Sequence, residues 1–407
     1  MINRNIPKIR FKEFINNWNN YKLGQLGNFK SGIGFPDSQQ GGTEGIPFFK
    51  VSDMNNIGNE TEMRNANNYV TQEQIMKNSW KVINETPAII FAKVGAALML
   101  NRKRLVTRPF LIDNNTMSYS FDESWDKDFG LTLFQTINLP KYAQIGAFPS
   151  YNASDIAMIK VNVPNVQEQS AIGSLFRNLD DLLARYKDNL ANYQSLKATM
   201  LSKMFPKAGQ AIPEIRLDGF EGEWKVVNLG TLIENYDEVM SGASGFPIAT
   251  SSRKGLYLQN DYFEGGRTGI DLTLDFHRVP IGYVTYRHMS DDSIFKFNKN
   301  NFETDVLVSK EYPVFINNDN SDIDFLLYHL NNSRLFLRFS TMQKLGGTRV
   351  RLYYKNLITY KLAVPTVKEQ QAIGAYFSNL DQLITSYQEK ISQLETLKKK
   401  FLQDMFI

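Results

Sequence analysis

The feature that most constrains this chain is that it is written twice. Pro7-Lys8-Ile9-Arg10-Phe11 returns as Pro213-Glu214-Ile215-Arg216-Leu217, and Phe14, Trp18, Leu23, Gly24 and Leu26 return in step as Phe220, Trp224, Leu229, Gly230 and Leu232. The halves also end alike: Pro164-Asn165-Val166-Gln167-Glu168-Gln169-Ser170-Ala171-Ile172-Gly173 matches Pro365-Thr366-Val367-Lys368-Glu369-Gln370-Gln371-Ala372-Ile373-Gly374. The match runs on through Phe176, Leu179-Asp180 and Tyr186 (Phe377, Leu380-Asp381 and Tyr387) to Met204-Phe205 and Met405-Phe406. Between these ends, roughly 30 to 140 and 236 to 340, little is shared beyond a Gly-Phe-Pro at 34 to 36 and 245 to 247. One structural plan is therefore built twice, a constant frame around a variable middle.

The closing segment of each half predicts one long helix. Asn165-x-x-Glu168 after Pro164 and Thr366-x-x-Glu369 after Pro365 are capping-box patterns. Apolar residues then recur in steps of three and four: Ile172, Leu175, Leu179, Leu182, Tyr186, Leu190, Tyr193, Leu196, Met200 and Met204, and in the second copy Ile373, Tyr376, Leu380, Leu383, Tyr387, Ile391, Leu394, Leu397, Phe401 and Met405. A 3.5-like period held this long predicts a coiled coil. The plainer reading, an amphipathic helix lying on its own domain, fits less well, because each helix would extend about 55–60 Å at 1.5 Å per residue, beyond one domain's diameter.

The interiors are broken by Gly, Asn and Ser clusters into short segments. Ala88-Ile89-Ile90-Phe91-Ala92 and Ile281-Gly282-Tyr283-Val284-Thr285-Tyr286 read as strands, and 324 to 339 reads as a helix turning Phe325, Tyr328, Leu335 and Phe336 inward. The expected fold is α+β, with segments 1–163 and 213–364 as globular domains, 164–206 and 365–407 as long helices pairing antiparallel, and 207–212 as linker.

Composition narrows the chemistry. At 407 residues and 42% hydrophobic content, the chain can fill two or more cores. It has no cysteine, which removes disulfides, thiolate nucleophiles and cysteine-rich zinc sites. Its three histidines, His277, His288 and His329, fall in no ligand spacing and read as hydrogen-bonded structural residues. No metal and no cofactor are expected. There is no Gly-x-x-x-x-Gly-Lys-Ser/Thr phosphate loop and no Asn/Asp-Pro-Pro-aromatic motif, while the tandem acids Asp180-Asp181 and Asp291-Asp292 lack a convincing nuclease context. Nothing at the N-terminus reads as a signal peptide, and the most apolar stretch, Pro87 to Leu100, is interrupted by Lys93 and too short for a bilayer. A cytoplasmic protein without a membrane partner is expected. The net charge of +4 permits nucleic-acid binding without requiring it.

With these parts in this order, the chain resembles the specificity subunit of type I restriction–modification systems, the HsdS family. The likeness covers the full chain and rests on the joints: Pro-x-x-x-Glu-Gln-x-Ala-Ile-Gly at 164 and 365, Trp18 and Trp224 at the start of each globule, and a small-residue loop before each helix. These loops are Gly146-Ala147-Phe148-Pro149-Ser150-Tyr151 with Asp155-Ile156, and Gly346-Gly347-Thr348-Arg349-Val350-Arg351-Leu352 with Asn356-Leu357. The resemblance implies a non-catalytic DNA-binding subunit with two target recognition domains, each reading one half of a split, asymmetric duplex site. It implies that the helices act as spacer and as docking surface for two methyltransferase subunits, with restriction/translocase subunits joining through that core. Leu179, Leu182, Tyr186, Leu380, Leu383 and Tyr387 mark that docking and coiled-coil surface. A pseudo-symmetric reader would place its half-sites on one side of the duplex, about 34–36 Å apart or a multiple.

Base readers are expected among Arg, Lys, Asn and Gln on loops, since guanidinium bridges guanine O6 and N7 and carboxamide bridges adenine N6 and N7. In the first globule the candidates are Lys30, Ser31, Lys93, the run Asn101-Arg102-Lys103-Arg104, and Tyr151. In the second they are Arg253, Lys254, Arg287, Lys344, Arg349 and Arg351, the last two sharing one side of an extended loop by alternation. The competing reading is an ordinary solvated charged turn, or, for Arg349 and Arg351, pairing with an acid of the globule. A coiled-coil scaffold or adaptor that binds no DNA is the alternative function.

Overall fold

The computed structural model describes residues 6–144, 149–262, 271–344 and 349–407. The stretches Gly146-Ala147-Phe148 and Gly346-Gly347-Thr348 of the expected loops lie outside the described residues. Two compact units are present, Met1–Lys187 with Glu389–Ile407, and Asp188–Gln388. This spatial partition cuts across the sequential one, because each unit takes the end of one long helix from the other half of the sequence.

In the first unit the strands Gly27–Ser31, Thr116–Phe121, Ala88–Ala92 and Lys103–Val106 form an antiparallel sheet in that order. The run Ala88–Ala92 is apolar without alternation because both its faces are covered: Ile89 and Phe91 join one hydrophobic cluster, Ala88 and Ile90 another. A second sheet orders Tyr69–Val70, Ile46–Phe49 and Leu111–Ile112. Asn19–Lys22 pairs with Lys160–Val163, so the unit's first strand lies beside the strand that leads into its helix.

The second unit repeats this plan. Lys225–Asn228 pairs with Lys361–Val364, and the main sheet orders Ile233–Tyr236, Val314–Asn317, Val284–Tyr286 and Phe297–Lys299. The expected strand at 281 to 286 is shorter than predicted, because Ile281 and Gly282 form a turn with Gly282 at φ 82°. The single helix expected at 324 to 339 is two helices, Ile323–Asn332 and Arg334–Met342. Ser333 separates them: its extended backbone ends one helix, and its hydroxyl accepts the Leu335 and Phe336 N–H groups to cap the next.

The helices Val166–Lys203 and Val367–Asp404 each run 38 residues. Their duplicated opening motif is a packing joint. Asn165 Oδ1 accepts the Glu168 N–H at 2.9 Å and Thr366 Oγ1 the Glu369 N–H at 3.4 Å, but neither glutamate closes a capping box. Glu168 instead takes Nε and Nη2 of Arg10 at 2.6 and 2.7 Å, and Glu369 takes the same atoms of Arg216 at 2.7 and 2.7 Å. The next residue bridges chain segments: Gln169 donates to Pro164 O and Ser124 O and accepts from the Asp126 N–H, while Gln370 donates to Pro365 O and Asn320 O and accepts from the Asp322 N–H. Asp126 and Asp322 cap the helices Lys127–Thr136 and Ile323–Asn332. A Cβ on Gly173 would lie 2.5 Å from Asp126 Oδ1, and one on Gly374 2.7 Å from Asp322 Oδ1, so only glycine lets these capped helix ends approach.

Within the first unit, Lys187 pairs with Glu395 at 2.6 Å, Asp180 with Lys398 at 2.5 Å, and Phe176 meets Phe406 at 5.9 Å, so these helical stretches run in opposite directions. Within the second, Tyr193 meets Tyr387 at 5.4 Å and Lys197 pairs with Asp381, again in opposite directions. Met405 is buried in the first unit's core and Met204 in the second's. The hydrogen bond from Ile9 N–H to Asp404 O at 2.9 Å has its counterpart from Ile215 N–H to Lys203 O at 3.0 Å.

The fully buried stripe of the first helix is Ile172, Phe176, Leu179 and Leu183, with Leu175 half-buried against the same core, so of the predicted steps through Leu175 and Leu182 only the one through Leu182 fails. Leu182 is 38% exposed, whereas Leu179 and Leu380 are buried inside their own units and present nothing to a foreign partner. Tyr186, Leu383 and Tyr387 are half-buried, with Lys390 over the Tyr186 ring.

Candidate nucleic-acid interface

The second unit gathers basic side chains by strand pairing. Ala249–Ser252 and Gly255–Leu258 form a hairpin whose turn is Arg253-Lys254. Met289–Ser290 pairs with Val350–Arg351, and because Val350 is buried, its neighbours Arg349 and Arg351 point to solvent. A cavity of about 500 Å³ opens between these elements, lined by Arg253, Lys254, Arg287, Arg349, Tyr262 and Asp291 among others. Four of the six sequence-predicted residues of this globule therefore meet in one place. Arg351 and Lys344 are exposed outside its lining.

Two acids organise the arginines. Arg253 places Nη1 and Nη2 on the two oxygens of Asp292, at 2.8 and 2.5 Å. Asp292 also accepts from Ser290 Oγ and the Ile294 N–H. The Arg253 hydrogen bond, opposed by partial desolvation, pulls the Asp292 carboxyl down to about 2. Arg349 gives only Nε to Asp291, at 2.8 Å. The pairing with an acid of the globule that the sequence allows for Arg349 is thus to Asp291, whereas the Arg253–Asp292 pair carries no signal in the spacing of residues. Arg287 and Lys254 form no ion pair with a described residue.

In the first unit the candidates separate. Lys30, in the strand Gly27–Ser31, pairs with Glu85 at 2.5 Å, and Ser31 is exposed at the end of that strand. Lys93 is half-buried after the strand Ala88–Ala92, its carbonyl accepting the Tyr151 N–H. Asn101, Lys103 and Tyr151 are corrected to internal roles. Alternation along Lys103–Val106 turns Lys103 and Leu105 inward, leaving Lys103 5% exposed. Its ammonium donates to Ile137 O and Asn101 Oδ1 at 2.6 and 2.7 Å, and burial pushes it down to about 7. Asn101, at φ 53°, also accepts the Leu139 N–H, so its carboxamide ties strand to loop. The Tyr151 hydroxyl donates to Ala92 O within the core, and burial pushes the phenol well up.

Arg102 and Arg104 remain outward of that cluster. Arg102 donates to Asn55 Oδ1, and Arg104 donates to Lys103 O while its Nε has no partner among the described residues. Burial, then the neighbouring Arg102, lowers the Arg104 guanidinium. With Glu60, Asp180 and Lys398 they line a polar cavity of about 380 Å³ that includes neither Lys30 nor Lys93.

His277 bonds Tyr312 O and Asp237, and His329 bonds the Tyr360 hydroxyl, as structural histidines should. His288 stacks on Tyr353 at 5.4 Å with Nε2 3.8 Å from Glu311, and its Nδ1, like that of His329, has no hydrogen-bond partner among the described residues. Among the described residues no group of three or more metal-ligating side chains assembles, and no helix is long and apolar enough to cross a membrane.

A family model described as the type I restriction modification DNA specificity domain matches residues 15–194 and 257–396. A putative type I restriction enzyme specificity subunit, MjaX, of Methanocaldococcus jannaschii is 23% identical over 295 residues, 66% of this chain and 64% of that protein. The chain thus aligns with just under two-thirds of that relative's length. The crystal structure of a type I restriction–modification system S subunit from M. genitalium superposes with a TM-score of 0.59 at 13% identity over 99% of both chains, a likeness of fold.

Proposed function

The chain belongs to the type I restriction modification DNA specificity family, and from that premise we propose that it is the target-reading subunit of such a complex. The observation that carries this reading is the meeting of Arg253, Lys254, Arg287 and Arg349 around one open cavity built from two paired-strand elements. Such a surface offers guanidinium and ammonium donors to base edges and phosphates together. A coiled-coil adaptor would account for the long helices but leaves this surface without a role.

In this reading each globule reads one half of an asymmetric bipartite duplex site. The dissimilar interiors specify bases, and the duplicated frame specifies geometry. In the first globule Arg102, Arg104, Lys30, Ser31 and Lys93 are the contacts, and in the second Arg351 and Lys344 extend the surface to the backbone. The two long helices pair as an antiparallel coiled coil that sets the spacer. Their near-identical surfaces dock two methyltransferase subunits, through which restriction/translocase subunits join. The chain itself catalyses nothing, and the assembly acts in the cytoplasm.

The test is to sequence methylated adenines in cells expressing this chain with its methyltransferase, before and after exchanging residues 213 to 361 for those of a relative. One half of the motif should change. A change in both halves, or in neither, would sink the modular reading.

A further inference from the structure

A guanidinium can make two hydrogen bonds along its Nη1/Nη2 fork or along its Nε edge, and which of these is occupied decides what remains for a ligand. The tandem acids treat their two arginines differently. Asp292 closes the fork of Arg253, holding Nη1 and Nη2 on its two oxygens. Asp291 holds only Nε of Arg349, and neither terminal nitrogen of Arg349 has a hydrogen-bond partner among the described residues.

We propose that Asp291 is a positioning residue for base recognition, fixing the guanidinium of Arg349 by its Nε so that the open fork reads one guanine, while Asp292 keeps Arg253 out of readout. This rests on the DNA-reading function proposed above. Guanine O6 and N7 accept two hydrogen bonds from such a fork. Holding Nε removes rotamer freedom before DNA arrives, so less is lost on binding.

The pairs are poor candidates for a stability role. Arg349 and Asp291 are 57% and 77% exposed, and ion pairs this open add little to a fold. Neutralising two arginines also weakens their pull on phosphates, which favours recognition by hydrogen-bond geometry over recognition by charge. The unpaired Arg287 and Lys254 on the same cavity are left to grip the backbone.

The full chain, assembled with its methyltransferase, is tested by selection from randomised duplexes and by methylome sequencing. The wild type should require a G·C pair in the half-site that changes when residues 213 to 361 are exchanged. Arg349→Ala should lower discrimination at that pair by about 5- to 150-fold. Arg349→Lys should behave similarly, keeping the charge but losing the fork, and Asp291→Asn should relax the same pair by less. Asp292→Asn should leave the G·C preference set by Arg349 intact while raising affinity for all duplexes and steepening the salt slope by about one. The inference is overturned if the exchanged half-site contains no G·C pair, if Asp291→Asn changes no preference, or if it and Arg349→Ala act at different positions. A motif that ignores the 213 to 361 exchange would instead overturn the DNA-reading function.

Discussion

Removing Arg10 tests whether the duplicated Glu-Gln motif is a structural joint. Arg10 and Glu168 are 10% and 1% exposed, bonded at 2.6 and 2.7 Å, and Trp18 Nε1 donates to the same carboxylate at 3.2 Å. Arg10→Met strands a carboxylate that water cannot reach, and breaking a buried pair from one side costs about 3–5 kcal/mol. Arg10→Met/Glu168→Met removes both charges, so the main remaining loss is the indole N–H, about 1–3 kcal/mol. The double variant should therefore be more stable than Arg10→Met alone. The second half supplies an internal control, since Trp224 Nε1 has no partner among the described residues. Arg216→Met/Glu369→Met loses no indole bond and should lie closer to the parent by about 1 kcal/mol. Urea unfolding at 25 °C, followed by tryptophan fluorescence and assembled as a double-mutant cycle, measures each value. If the double variant loses the sum of the two single losses, or if Arg10→Met costs under about 1 kcal/mol, the joint is not held by this pair.

Three further outcomes follow from the packing. Phe406→Ala should loosen the first globule by about 2–4 kcal/mol, because the ring packs on Trp18, Phe129 and Phe176, and Phe205→Ala should loosen the second, where it meets Trp224, Phe325 and Phe377. Hydrogen exchange that rises in the opposite globule in either variant would contradict this. Burial pushes His329 down to about 4 while the unfolded imidazole titrates near 6.5, so the unfolded state binds the proton first. The stability this histidine contributes is complete above about pH 6.5 and falls by up to about 3 kcal/mol as pH drops toward 4. His329→Gln should flatten that slope, and an unchanged slope in unfolding measured across this window would refute the assignment. If the helices are the spacer, four residues inserted into both should lengthen the target gap by one or two base pairs, from about 6 Å of helix and about 3.4 Å per base-pair step. Methylomes showing an active variant with an unchanged gap would show that they are not the ruler.

What the sequence alone determined was carried by local or repeated signals. Duplication announced two globules and two helices, and Pro164-Asn165 and Pro365-Thr366 marked where the helices begin within a residue or two. The apolar run Ala88–Ala92 announced a strand, and the structure covers it on both faces. These signals are legible because capping, period and strand propensity act between residues a few positions apart.

Tertiary structure decided whatever depends on which face meets which neighbour. Leu183 rather than Leu182 is the buried position on the first helix. Lys103 reads as a surface cation in the run Asn101-Arg102-Lys103-Arg104, yet its place in the sheet turns it onto Ile137 O, 34 residues away. Asp291 and Asp292 have no assignable role in the sequence until Arg349 and Arg253, 58 and 39 residues distant, arrive beside them. Phe205 and Phe406 each complete the core of the globule that the opposite half of the chain begins, since contacts between segments so far apart follow from the packing of whole surfaces and leave no mark in the spacing of residues.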